Sequence, residues 1–349
     1  MDHQSPKTTY VDNDETAVSR KQDHIELAFQ SQVGLAAIDN RFYYEPLLAG
    51  HPTEQDKASF EFLGKTMQVP LWVSSMTGGT EYASKINHNL ARAAKEFGFG
   101  MGLGSCRGLL TSDEYLPDFD VRGVIGEDLP LYANLGIAQL EQLLDENKTE
   151  LITALLDKLR ADGLIIHVNP FQEWLQPEGD RFKYPSIDTI KRMLDKFPDT
   201  SFIVKEVGQG MGLESLKALL QLPLAAVDFA ANGGTNFAKL ELHRSSPEFR
   251  AIYTKLANIG HSATEMVDMT NELVELLGER CLCQQIIVSG GIQDFLDGYY
   301  CINKLNLPAI YGQASAFLKH ARGAYEPLQK YVAAQVEGLK VARHFLTVK

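Results

Sequence analysis

Residues 71–104 read LWVSSMTGGTEYASKINHNLARAAKEFGFGMGLG and hold one complete strand–helix–strand unit. LWVSSM (71–76) and FGMGLG (99–104) are short apolar runs of strand character. Between them Ile86, Leu90, Ala93, Ala94 and Phe97 fall on one face of a 3.6-residue period. That is the pattern of a helix lying on a sheet.

Six further runs follow: LYANLG (131–136), GLIIHV (163–168), FIVKEV (202–207), AAVDFA (225–230), QIIVSG (285–290) and AIYGQA (309–314). Each is followed by a longer segment of helical period. Eight parallel-strand signals within about 270 residues match a (β/α)8 TIM barrel. A doubly wound sheet is the runner-up and would need the strand order to reverse. The longest gaps follow the fourth and sixth runs, where inserted loop would cover the C-terminal face of a barrel. Residues 1–19 are polar and are expected to form a disordered tail. Residues 20–349 then make one domain, in which HIELAFQSQV, RFYYEPLL and FLGKTM form an N-terminal lid over one end of the barrel.

The 349 residues, 44% hydrophobic and 22% charged, are enough to bury a full core. A net charge of −12 and the absence of a basic patch argue against a nucleic-acid partner. No apolar run approaches the ~20 residues of a membrane span, and the first 23 residues lack the apolar segment of a signal peptide, so a cytoplasmic protein is expected. Cys106, Cys281, Cys283 and Cys301 have no metal-site spacing and read as reduced thiols.

On a barrel, polar residues at the C-terminal strand ends face the site. Here the ends read SSMTGG, GSCRG, ANLG, HVNPFQE, KEVGQG, NGGTN, SGG and GQAS, which points to a large polar ligand that carries phosphate. SGGI (289–292) and GQA (312–314) follow strands seven and eight, where backbone N–H groups of barrels often hold a phosphate. Gly290 and Gly291 could instead merely turn the chain. Lys205, inside the fifth strand, has three readings: an ion pair with Glu206 or Glu241, a Schiff-base nucleophile, or a cation against a flavin. His167, Asn169, Gln172 and Glu173 gather a base-capable ring, two amides and a carboxylate, where Glu173 suits Mg2+ and a capped loop is the plainer reading. Arg20, Lys21, His24 and Arg107 could together hold a diphosphate or be ordinary solvated charges.

The motifs RKQDHIELA, SSMTGG, GSCR, YANLG, HVNPFQEWLQPEGDR, VKEVGQG, NGGTNF and SGGI occur in the order found in type 2 isopentenyl diphosphate isomerases, and the chain resembles that family over about residues 20–320. The resemblance implies FMN, Mg2+ and flavin reduction by NADPH, with isopentenyl diphosphate converted to dimethylallyl diphosphate without net redox change. By the same resemblance Ser75, Met76, Thr77, Ser105, Asn134, Lys205 and Thr235 contact the flavin, and Gly290, Gly291, Ile292, Gln313 and Ala314 hold its phosphate. Arg20, Lys21, Ser105, Arg107 and Gln172 contact substrate, His167 and Asn169 line the site with Gln172 assisting proton transfer, and Glu173 ligates Mg2+. A homotetramer or larger homo-oligomer is also implied. Three departures touch the phosphate site: Gln293 stands where many members carry arginine, no tryptophan follows GGT, and the eighth-strand loop is GQAS.

Other classes fit less well. A hydroxy-acid oxidase would need a late HGGR-like run, and a cysteine-dependent dehydrogenase would need a late loop cysteine; neither is present. A Schiff-base aldolase on Lys205 and a catalytically silent binding barrel remain as non-flavin readings.

Overall fold

The computed structural model describes residues 17–53, 56, 58–75 and 81–349. Two compact units emerge. The smaller runs to Phe42 and includes Lys349; the larger is Tyr43–Val348. In the smaller unit a helix spans Ala17–Leu27 and a single 3-10 turn spans Leu35–Ala37. The helix stops short of the expected end of HIELAFQSQV, because the Ser31 hydroxyl and the Gln30 N–H both turn back onto the Leu27 carbonyl. Of the expected tail, residues 1–16 lie outside the described residues, whereas 17–19 open this helix.

The larger unit is a closed barrel of eight parallel strands. They are β1 (Leu71–Val73), β2 (Gly100–Gly102), β3 (Leu131–Gly136), β4 (Gly163–His167), β5 (Ser201–Lys205), β6 (Ala226–Asp228), β7 (Ile286–Ser289) and β8 (Ala309–Gln313). The strands follow one another around the barrel and β8 pairs β1 through Tyr311 and Leu71, so the order never reverses and the doubly wound alternative falls. Most strands end one to three residues earlier than the apolar runs suggest, because residues such as Ser74, Ser75 and Val207 leave the ladder and line the cavity above it. The helix Glu81–Phe97 buries Ile86, Leu90, Ala93 and Ala94, the face its periodicity marks.

Side-chain volume explains the glycines of β2. Trp72 is fully buried, and a Cβ on Gly100 would lie 2.5 Å from its ring. The Tyr132 ring meets the Trp72 ring edge-on at 6.1 Å, and the Tyr132 hydroxyl is 2.6 Å from Ser201 Oγ. The barrel interior is therefore filled, as the fold requires.

The FLGKTM segment forms a hairpin, Phe60–Phe62 with Lys65–Met67, and it closes the N-terminal end of the barrel. Leu63 N–H donates to Gln285 at the foot of β7, and Lys65 pairs with Asp162 at the foot of β4, 2.6 Å away. Arg122, fully buried, bonds Asp162 and the carbonyls of Gly126, Leu129 and Arg160. At the opposite end, the insert after β6 packs Ala238, Leu242 and Ala257 against Leu175 of the short helix Pro170–Leu175 that follows β4. No helix among the described residues is long and apolar enough to cross a membrane.

Candidate active site

A cavity of about 570 Å³ opens at the C-terminal ends of the strands, a size typical of cofactor and small-ligand sites. Ser75, Ser105, Asn134, His167, Gln172, Lys205, Thr235, Gly290, Gly291, Ile292, Gln313 and Ala314 all line it, although the chain brings them from all eight strand ends and the loops beyond. Met76 and Thr77 lie outside the described residues. Arg20 and Lys21 are exposed on the Ala17–Leu27 helix of the smaller unit.

Period-two alternation aims Asn134, His167 and Lys205 at the same interior, since Gly136 pairs with His167 and His167 with Lys205. Asn134 Nδ2 donates to Ser75 Oγ at 2.9 Å, which leaves its carbonyl oxygen 2.7 Å from His167 Nδ1. An amide oxygen only accepts, so Nδ1 carries the proton and Nε2 is an acceptor. Burial, helped by the positive charge of Lys205, pushes the His167 pKa down to about 4. The ring is neutral at pH 7.

Lys205 pairs with Asp228, Nζ to Oδ2 3.6 Å, rather than with Glu206 or Glu241, the partners in the ion-pair reading of the sequence. Glu206 points away from the barrel axis and accepts the backbone N–H groups of Gly208, Gln209 and Gly210, while Glu241 binds Arg244. Neighbouring residues on a strand face opposite sides, which is why Glu206 cannot reach its neighbour's partner.

Gln172 and Glu173 sit on the helix Pro170–Leu175, and Asn169 secures both: its Nδ2 donates to Gln172 Oε1 at 3.0 Å and to Glu173 Oε1 at 2.9 Å. Glu173 Oε2 accepts the Asp180 N–H at 2.7 Å, and Asp180 in turn binds Arg107 at 3.0 Å and Gln139 at 2.9 Å. Gln172 lines the cavity; Asn169, Glu173 and Arg107 stand beside it and are not part of its wall. Asn169 Oδ1 is buried next to these groups with no hydrogen-bond partner. Among the described residues no group of three or more His, Cys, Asp or Glu side chains is placed to hold a metal by itself.

The far end of the cavity is backbone. Gly290 and Gly291 have φ of +87° and +75°, and a Cβ on Gly290 would lie 2.0 Å from the Ala231 carbonyl. The two glycines do turn the chain, and the same turn faces the cavity beside Gly233 and Gly234. Gln313 fixes this loop from below, with its amide 3.4 Å from the Ile292 and Gln293 carbonyls and the Tyr331 hydroxyl donating to its oxygen at 3.0 Å. Lys319, one turn along the helix Ser315–Ala321, lines the same end.

Several of these groups escaped the sequence reading. Asp228 lies within the AAVDFA run, where a buried acid among apolar neighbours was the available signal. Ser74 and Ser289 stand in the polar strand ends SSMTGG and SGGI without a role of their own there, and Lys319 carries no sequence mark that separates it from an ordinary lysine. The four cysteines are buried thiols outside any disulfide, and burial pushes the thiols of Cys106 and Cys283 up to about 12, so neither is a ready nucleophile.

No protein-family model matches the chain. It is 34% identical over 334 residues to the isopentenyl-diphosphate delta-isomerase of Rickettsia felis, covering 94% of this chain and 92% of the relative. The enzyme of the same name from Rickettsia typhi is 34% identical over 331 residues, covering 93% and 92%. Among solved structures, flavocytochrome b2 with sulfite bound superposes with a TM-score of 0.56 at 15% identity, covering 87% of this chain and 72% of that one. Lactate oxidase of Pediococcus acidilactici gives 0.55 at 15%, covering 88% and 84%. These structural likenesses establish the barrel fold.

Proposed function

The chain belongs to the isopentenyl-diphosphate delta-isomerases, and from that membership we propose that it is the type 2 enzyme, converting isopentenyl diphosphate to dimethylallyl diphosphate with reduced FMN and Mg2+. The observation that carries this reading is the meeting, in one cavity, of a buried lysine at the floor, a glycine turn at the far end and Gln172 on the wall. This donor set fits a flavin mononucleotide. Lys205 would lie against the electron-rich part of the ring, with Ser75, Ser105, Asn134 and Thr235 around it. Gly290, Gly291, Ile292, Gln313 and Ala314 would hold the phosphate on close backbone approach. Met76 and Thr77 belong to the same set by family resemblance.

Mg2+ also fits. Glu173 offers carboxylate oxygens, the orphaned Asn169 oxygen lies beside it, and Mg2+ is usually held by one or two carboxylates together with substrate phosphates. Arg107 stands close by on Asp180, placed to reach a diphosphate on that ion, while Arg20 and Lys21 are its further cations by resemblance. Ser105 and Gln172 would contact the substrate from the cavity wall.

Moving a double bond requires a proton added at one carbon and one removed from another. When bound, reduced FMN supplies an electron-rich ring beside the alkene. The chain supplies position: Asn169 holds the Gln172 carbonyl so that the Gln172 amide faces the cavity and assists the proton transfer, and neutral His167 offers Nε2 as an acceptor. NADPH is the reductant in this reading and the enzyme is a homotetramer or larger, both on the support of the family, and it acts in the cytoplasm.

Titration of the purified protein with FMN, followed by anaerobic incubation with isopentenyl diphosphate, Mg2+ and NADPH, tests the proposal. Bound flavin and dimethylallyl diphosphate formed only after reduction are expected. A protein that takes up no FMN contradicts it.

A further inference from the structure

Asp228 takes no part in the function described above, yet it is completely buried beneath the cavity. Three adjacent strands build its surroundings. Lys205 of β5 is its register partner on one side, and Ile287 of β7 is its partner on the other, which brings Ser289, two residues on, to the same face. The Ser289 hydroxyl donates to Asp228 Oδ1 and accepts the Ala230 N–H at 3.1 Å. Ala230 has a φ of +44°, so this bond also secures a strained residue of the cavity wall. The second oxygen, Oδ2, has no hydrogen bond and faces Lys205 Nζ at 3.6 Å. The carboxylate is thus fixed by one oxygen and interacts through the other by charge.

We propose that Asp228 is a positioning residue that holds the Lys205 ammonium under the ring and offsets part of its charge, thereby setting how much more tightly the cavity binds reduced than oxidised flavin. This rests on the FMN reading of the site. A cation at the electron-rich end of a flavin favours the reduced form, and a carboxylate 3.6 Å from that cation opposes it. Water screens the pair only weakly, because Asp228 is fully buried and Lys205 nearly so. Removing the negative charge while keeping the shape therefore tightens the reduced form selectively.

The test is a dye-coupled anaerobic titration of the FMN-loaded protein and of Asp228→Asn, which keeps the partner atom for Ser289. The expected result is a rise of about tenfold in the preference for reduced flavin, ~30 mV upward for a two-electron couple, with Asp228→Glu close to wild type. A variant that binds FMN with an unchanged midpoint overturns the proposal, even if it is less stable, since a purely structural carboxylate predicts that result. Should Asp228→Asn fail to fold, Ser289→Ala decides: a carboxylate released from Ser289 keeps its charge and is free to close on Lys205, which shifts the midpoint downward, and no shift overturns the proposal. Wild-type protein that binds no FMN removes the FMN reading and this inference together; wild type that binds it while the variants stay at its midpoint removes this inference alone.

Discussion

Gln172 reaches the cavity from a helix of only six residues, and its carbonyl is held by Asn169. Its amide is therefore placed, and shortening it by one methylene withdraws it. Gln172→Asn is expected to lower kcat by about a hundredfold, the lower end for lost proton-transfer assistance, with the FMN dissociation constant unchanged; wild-type kcat would remove Gln172 from the mechanism. His167 makes a second prediction at this scale. Its folded pKa of about 4 lies below the ordinary value of 6.5, so below pH 6.5 the unfolded chain takes up a proton that the folded one refuses. Stability from this site is complete above pH 6.5 and is lost as pH falls toward 4. Urea unfolding from pH 7 to pH 4.5 should show that decline, and His167→Gln should flatten it; an equal slope in both proteins assigns the decline to other groups. Residue types were legible from the sequence here, since His167, Asn169, Gln172 and Glu173 stand within seven positions. Their division of labour was not, because Asn169 serves its neighbours through bonds that exist only once the helix turns.

The strands were legible for a different reason. Parallel strands covered on both faces are largely apolar runs, and all eight showed as such, with Lys205 and Asp228 the charged exceptions; their ends blurred because the residues that leave the ladder toward the ligand are as small and as short-chained as those within it. The turn after β7 shows what an element can hide. Gly290 and Gly64 both have positive φ, +87° and +74°, but a Cβ on Gly290 meets the Ala231 carbonyl at 2.0 Å and one on Gly64 meets nothing within 4 Å. Gly290→Ala is expected to weaken FMN binding at least tenfold through displacement of the cradle, whereas Gly64→Ala should cost about 1 kcal/mol of stability and leave FMN binding intact. Fluorescence titration with FMN and thermal unfolding of both variants separate the two effects; equal FMN affinity in Gly290→Ala and wild type would show that the turn is not the cradle.

Across the whole molecule the barrel divides its duties between its ends. The N-terminal end is closed by the 60–67 hairpin and by Arg122, whose guanidinium ties Asp162 to three backbone carbonyls, while the C-terminal end carries the cavity. Arg122→Met strips the carbonyls of Gly126, Leu129 and Arg160 of their buried donor while Asp162 keeps Lys65 and the Leu131 N–H, and should lower unfolding free energy by about 3 kcal/mol with kcat preserved; a kcat that falls in step with stability would mean that the ends are coupled. Contacts of this kind were invisible in the sequence. Arg122 and Asp162 are 40 positions apart, and Asp228 meets Ser289 across 61, separations that only barrel closure brings together. The central claim is isomerisation by proton transfer with no net redox change. It is tested most directly by anaerobic turnover in D2O, with one equivalent of FMN reduced beforehand and no further reductant, followed by NMR of the product and by flavin absorbance. Many equivalents of deuterium-labelled dimethylallyl diphosphate per flavin, with the flavin still reduced at the end, is the predicted result; product limited to one equivalent, or flavin oxidised in step with product, would contradict it.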